Sequence, residues 1–235
     1  MKGRKQKMVK RHLKRHASPK TWNVDRKGET FIVKPRSGGQ TLENSMGIST
    51  ILKKLGFCDT TREVKTALNS REILVNGRVV LDFKYSVGFM DVLAVPTKKL
   101  YYRISIDNKG NLSIVEIDAK DANLLPCRVK TMRLIQGGKL QLNCHNGRNI
   151  LQEKRDFKPN DTVLVNLELG QIIQRIPLKE GVHVLVTKGK QAGHIGVFEK
   201  IERGAALIKI DGHEHMSPIK YLFIIGEKEP VVKLR

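Results

Sequence analysis

Between two β-rich runs, Ile73 to Val75 and Arg78 to Leu81, stands the dipeptide Asn76-Gly77. Both residues tolerate the positive φ angles of a two-residue turn, so the chain is committed here to a tight hairpin. Just upstream, Thr60 precedes Glu63 by three residues, the spacing of a capping box that satisfies free N–H groups at a helix start. Val64, Ala67 and Leu68 then share one helical face. Downstream, Tyr85 to Val95 reads as a further strand segment whose apolar run, Val92 to Val95, ends at Pro96. The whole stretch is thus a small helix-plus-hairpin module. Arg62 and Lys65 on its helix, Arg71 and Arg78 beside the hairpin and Lys84 beyond it give it a cationic face suited to a structured RNA.

The rest of the chain supports that choice of partner. Lys and Arg number 44 against 23 acidic residues, a formal charge of +21. An excess of that size speaks for a polyanion rather than for any fold. A membrane is the other polyanionic surface, but no run approaches the ~18 apolar residues of a spanning helix. The N-terminus is basic without the apolar centre of a signal peptide. Cys58, Cys127 and Cys144 are odd in number and widely spaced, which reads as reduced, structural thiols of an intracellular, cytoplasmic protein. A length of 235 residues with only 5% aromatics favours several small cores over one large one.

Residues 1 to 20 carry nine Lys or Arg and no acid, the first carboxylate being Asp25. Such a block repels itself and is expected to be disordered alone and ordered against phosphates. Trp22, the single tryptophan, either stacks on a base or pins this arm to the protein's own core. From Glu43 to Gly56 the pattern is helical, with Ile48, Ile51, Leu52 and Leu55 on one face and Gly56 placed to close it. Beyond residue 97 the character is all-β. Tyr101 to Ile106 and Leu112 to Ile117 flank one turn cluster, Val129 to Ile135 and Lys139 to Leu142 flank Gly137-Gly138, and a strand follows around Thr162 to Leu167. These runs predict a small barrel or curled sheet over roughly 100–172, with Lys130, Arg133, Lys139, Arg148, Lys154 and Arg155 on its loops. A last piece begins near Pro177, where Val182, Val184 and Val186 alternate, Gly189, Gly193 and Gly196 shape a loop, and Ala206 to Ile210 form another strand.

Three resemblances attach to these residues. REVKTALNSREILVNGRVVLD resembles the S-four type RNA-binding domain, which implies RNA contacts by the helix start and by Asn76, Gly77 and Arg78. The last piece resembles a KOW motif, a small five-stranded barrel, which implies that loop residues Lys188 and Lys190, with His194, face RNA; Ala192 stands where a basic residue is usual. The order of the whole is similar to small-subunit ribosomal protein four of the archaeal and eukaryotic e-type. That likeness is carried by His12-Leu13-Lys14-Arg15 and Pro19-Lys20 with Trp22, by G-F-M-D-V, and by N-G-R-N-I. It implies a multidomain α+β chain: a basic N-terminal arm (1–42), an S-four-like domain (43–99), a central all-β domain (100–172) and a C-terminal KOW-type β-barrel (173–235). It implies as well a structural, non-enzymatic component of the small ribosomal subunit, with rRNA and neighbouring ribosomal proteins as partners. The expected rRNA contacts are Lys10, Arg11, His12, Lys14, Arg15, Lys20, Trp22, Arg62, Lys65, Arg71, Asn76, Gly77, Arg78, Lys84, Arg148, Lys188 and Lys190.

Catalytic patterns are sparse. Asp211, His213 and His215 form the only metal-like grouping, without a distant Cys or His at ligand spacing, and read as a polar loop. Gly193-His-Ile-Gly196 lacks the strand–helix context of a nucleotide loop, and no nucleophile elbow is present. No cofactor, small-molecule substrate or membrane partner is expected. An RNA-modifying enzyme and a free assembly or transcription factor built on the same modules are the competing readings.

Overall fold

The computed structural model describes residues 12–25, 27–153, 156–202, 204–227 and 229–234. Lys10 and Arg11, Lys154 and Arg155 lie outside them. The described arm is built into the fold. β1 (Leu13–Lys14) pairs with β2 (Phe31–Ile32), and two 3-10 turns, Arg15–Ala17 and Lys20–Trp22, lie between. Trp22 is wholly buried, and its Nε1–H donates to the Leu42 carbonyl at 3.1 Å. Base stacking by Trp22 is therefore excluded. One large indole joins the core of the next module and ties the arm to it.

The helix expected from Glu43 starts later. Leu42–Asn44 is a 3-10 turn, β3 (Ser45–Gly47) follows, and only then comes α1 (Ile48–Lys54), closed by Gly56 at φ +72°. α2 (Thr61–Asn69) carries the capping box: Thr60 Oγ1 accepts from the Glu63 N–H at 3.2 Å, and the Glu63 carboxylate accepts from the Asp59 and Thr60 N–H groups. Val64 and Leu68 point inward, as their spacing requires. Next come β4 (Leu74–Val75), β5 (Arg78–Val79), β6 (Ser86–Gly88), β7 (Val92–Val95), β8 (Leu100–Ile106) and β9 (Leu112–Glu116). Asn76 and Gly77 both have positive φ, +50° and +76°, which makes the turn type I′.

The first sheet has the order β5-β4-β7-β8-β9, and Val95 pairs directly with Leu100. The strands assigned by pattern to the central domain from residue 100 thus extend the hairpin's own sheet. A short helix, α3 (Ala119–Ala122), leads to the second sheet: β10 (Leu124–Leu134), β11 (Leu140–Cys144), β12 (Asn149–Gln152), β13 (Thr162–Asn166) and β14 (Ile172–Ile176), ordered β12-β11-β10-β13-β14. β10 changes partner along its length, from β13 to β11, across an irregularity at Val129–Thr131. The third sheet comprises β15 (His183–Val186), β16 (Ile195–Glu202), β17 (Ala205–Ile210), β18 (His213–Pro218) and β19 (Leu222–Gly226), ordered β18-β17-β16-β15-β19.

The apolar cores follow the three sheets only in part: that of the first sheet takes in Leu185, Phe223 and Ile225 of the third, and that of the third takes in Leu164 and Ile176 of the second. Phe89, His145 and Phe223 meet edge to face, one from each module, with ring centroids 5.1–6.1 Å apart. His145 Nδ1 accepts from the Arg128 N–H at 3.1 Å, so its Nε2–H faces the Phe89 carbonyl at 3.3 Å. Burial, with the Arg128 charge beside it, pushes this imidazole down to about 3. Arg128 itself donates from Nη1 to the carbonyls of Lys220 and Leu222, at 2.7 and 2.8 Å, and so ties β10 to the third sheet. Gly193 packs so closely on the next module that a Cβ there would lie 1.9 Å from the Asp107 carbonyl oxygen.

Candidate nucleic-acid interface

The cations of the helix-plus-hairpin module stand mostly free. Arg62 and Lys65, three residues apart on α2, share an exposed face. Lys65 Nζ lies 4.8 Å from the centre of the Phe83 ring and Lys84 Nζ 5.4 Å from the same ring, so one aromatic holds two ammonium groups. Arg71 is exposed at φ +59°, and its N–H closes α2 on the Leu68 carbonyl. Arg78, exposed beside the turn, makes no ion pair or side-chain hydrogen bond among the described residues.

Asn76 behaves differently from the expectation. Its amide N–H donates to Asp91 Oδ1 at 2.8 Å and its oxygen accepts from the Val92 N–H at 2.9 Å. Both ends are spent on shaping the hairpin, so the side chain is structural, and only its backbone carbonyl faces outward. That carbonyl accepts from Arg148 Nη2 at 3.0 Å. The pairing brings a loop of the second sheet onto the first hairpin, over 72 residues of chain.

The arm completes this corner. Arg36 Nε is 2.8 Å from Asp82 Oδ2, and a glycine pair, Gly38-Gly39, runs against the loop that carries Arg148. A Cβ on Gly39 would stand 1.9 Å from the Asn146 carbonyl oxygen, and one on Gly147 would stand 2.7 Å from the Gly39 Cα. The backbones touch, which only glycine permits. Between arm, hairpin and loop lies a polar recess of about 300 Å³, with Arg36, Arg78 and Arg148 on its walls. Asp91 forms its floor, accepting from the Gly88 N–H at 2.7 Å as well as from Asn76. Burial pushes that carboxyl up to about 6, against the pull of its two hydrogen bonds and of Arg148.

The other expected contacts divide. His12, Lys14 and Lys20 are exposed, with His12 beside Phe31 at 5.9 Å. Arg15 is half-buried and donates to the carbonyls of Glu29 and Asp25, both at 3.0 Å, so it braces the arm. Lys190 is exposed, whereas Lys188 Nζ is 2.7 Å from Glu43 Oε2 and links the third sheet to the 3-10 turn that precedes β3. His215 meets the Gln191 amide at 3.3 Å. Phe89 is in the core, but Tyr85 lines the recess and is partly exposed. Arg36 and the Ser37-Gly38-Gly39 stretch escaped the sequence reading; a Ser-Gly-Gly run next to an arginine was the available signal.

Known proteins give this arrangement its context. Residues 98–172 match the family model described as ribosomal family S4e, residues 7–39 the RS4NT (NUC023) domain and residues 46–93 the S4 domain. The small ribosomal subunit protein eS4 of Methanothermobacter thermautotrophicus is 35% identical over 233 residues, covering 96% of each chain. That of Archaeoglobus fulgidus is 34% identical over 236 residues, covering 97% of this chain and 99% of its own. The crystal structure of 30S ribosomal protein S4e from Thermoplasma acidophilum superposes with a TM-score of 0.68 at 24% identity, over 78% of this chain and 96% of the other, a likeness of fold. With full-length relatives at a third identity and the family model on its central sheet, the chain belongs to the S4e family of ribosomal proteins.

Proposed function

We propose that the chain is a structural component of the small ribosomal subunit that binds and stabilises folded rRNA. The observation that carries this reading is the end-to-end likeness to small ribosomal subunit proteins, joined to a charge of +21. Exposed cations from the arm, α2, the hairpin and the third sheet give a distributed surface rather than one cleft. A-form RNA hides its base edges in a deep groove, so such a surface reads phosphates, shape and splayed nucleotides. The mechanism is charge neutralisation with counterion release, which makes binding fall steeply with salt. The protein acts without catalysis, in the cytoplasm, with ribosomal neighbours as further partners.

The finer layout is part of the same proposal. The four-part order of arm, S-four-like module, central β module and C-terminal KOW-type module is kept. The second part extends to Glu116 through the strands its sheet recruits, and the third to Ile176. In the KOW-type part Lys190 is the cation offered to RNA. The test is sedimentation of a lysate in high salt: the chain should travel with the small subunit. Release into the soluble fraction would favour a factor that cycles on and off.

A further inference from the structure

The recess at the meeting point of arm, hairpin and second-sheet loop differs from the rest of the cationic surface in its lining. Elsewhere Lys65 and Lys84 share the exposed side of Phe83, and a second concavity beside α1 carries Arg15, Lys53 and Lys54, with Arg15 already spent on main-chain carbonyls. Here three guanidinium groups from three separate parts of the chain, Arg36, Arg78 and Arg148, line one concavity of about 300 Å³. That volume is at the lower end of small-ligand sites, about 300–1,000 Å³, and suits a single nucleotide better than a helix.

Its walls hold donors without acceptors. Arg36 spends one nitrogen on Asp82 and Arg148 one on the Asn76 carbonyl, while the Arg78 guanidinium has no partner among the described residues. The N–H groups of Ser37, Gly38 and Gly39 also find no hydrogen-bond acceptor among the described residues. Consecutive free N–H groups beside arginines are the ordinary makings of an anion site. The two acids present do not cancel it, since Asp82 is paired with Arg36 and Asp91 is turned to Asn76 and the Gly88 N–H. Tyr85 adds an aromatic wall, and planar rings beside arginines are how unstacked bases are held. The close backbone packing at Gly39 and Gly147 sets the recess before any ligand arrives.

We propose that this recess takes one splayed-out RNA nucleotide, with its phosphate on the three arginines and its base against Tyr85. The inference rests on the rRNA-binding reading and narrows it to a built subsite. The shared chemistry is a nucleotide phosphate, and its source is a folded RNA strand rather than a free mononucleotide.

The test uses the full chain and a short RNA duplex carrying a single-nucleotide bulge, with 2-aminopurine at the bulge, beside the same duplex without it. The wild type should prefer the bulged RNA by about tenfold, within the ~1–3 kcal/mol of one base–aromatic stack. The bulge fluorescence should be quenched on binding. Arg78→Gln and Tyr85→Leu, both at exposed positions, should each abolish the preference while binding of the plain duplex persists, and Tyr85→Leu should abolish the quenching. Equal losses on both duplexes, or quenching that survives Tyr85→Leu, would overturn the subsite and leave the rRNA reading standing. No binding of either duplex at low salt would overturn both. Displacement of the bulged RNA by micromolar adenosine monophosphate or inorganic phosphate would assign the recess to a free ligand and overturn the RNA source.

Discussion

The helix–hairpin face and the seam between the three sheets use the same residue for opposite purposes. On the face, Arg62, Arg71 and Arg78 stand in solvent with their guanidinium groups uncommitted. In the seam, Arg128 is half-buried or deeper and donates to two main-chain carbonyls of another sheet. Arg103, wholly buried, likewise holds the carbonyls of Asp121 and Leu124 at 2.7 and 2.8 Å, and burial lowers its pKa to about 10. A guanidinium carries five donors on a flat body, so it can stand in for a missing strand between modules that share no ladder. The lesson is that net charge overstates the charge offered to a ligand: part of the +21 is mortar.

The comparison breaks most sharply at Arg128. Replacing it with Ala removes the donor from the exposed Lys220 carbonyl and the part-buried Leu222 carbonyl and should cost about 2 kcal/mol. The midpoint of urea unfolding should drop with the slope unchanged. A loss below about 0.5 kcal/mol, the range of ordinary surface changes, would mean that the seam is wet and the modules merely adjoin. Gly39→Ala tests the arm's side of the same seam. Its new Cβ would meet the Asn146 carbonyl, so the arm must shift, at about 2 kcal/mol. Limited proteolysis should then cut the arm sooner than in the wild type.

A smaller effect follows from two buried groups with opposite proton linkage. Asp91 has a folded pKa of about 6, above its ordinary 3.8, so between those values only the folded chain holds the proton. Its contribution is present at low pH and is lost as pH rises through about 6. His145 has a folded pKa of about 3, below its ordinary 6.5, so in that window only the unfolded chain is protonated, and stability is lost as pH falls. From pH 6 to 4 the two slopes oppose each other, each at up to about 1.4 kcal/mol per unit. His145→Asn should remove one of them. Relative to wild type, its stability should then improve on acidification across that window, read from unfolding midpoints at pH 6, 5 and 4. An unchanged difference would place His145 in contact with water.

What could be read in advance was the local part. The capping box at Thr60 and Glu63, the I′ turn at Asn76-Gly77 and the inward face of α2 depend on neighbours within four residues, and each formed as its pattern requires. What escaped was decided by partners far along the chain. Trp22 is a polar-tipped aromatic in a basic arm, and only the core built around Met46 and Ile48 fixes it inside. Asn76 has the right chemistry for RNA, yet Asp91 and the Val92 N–H claim both its ends. Lys188 meets Glu43 across 145 residues. Leu100 to Ile106 has no local mark saying which sheet it joins; pairing of Val95 with Leu100 decides it. The recess likewise has one wall from each of three distant segments, so no single motif announces it.

The gentlest test in stability terms addresses the face itself. Charge reversal at Arg62, Arg71 and Arg78 together touches no ion pair among the described residues. Unfolding free energy should move by less than about 0.5 kcal/mol per site, as for other exposed positions. Binding to small-subunit rRNA should weaken even so. Each phosphate no longer neutralised removes about 0.7–0.9 from the slope of log affinity against log salt, so losing three contacts should flatten it by about 2–3. The pairing of a silent stability readout with a flattened salt slope is what separates ligand-facing arginines from mortar. Equal affinity and slope in the variant would remove the helix–hairpin face from the contact surface. A large fall in stability would instead move these three residues into the class of Arg128, and the distinction between the two regions would fail.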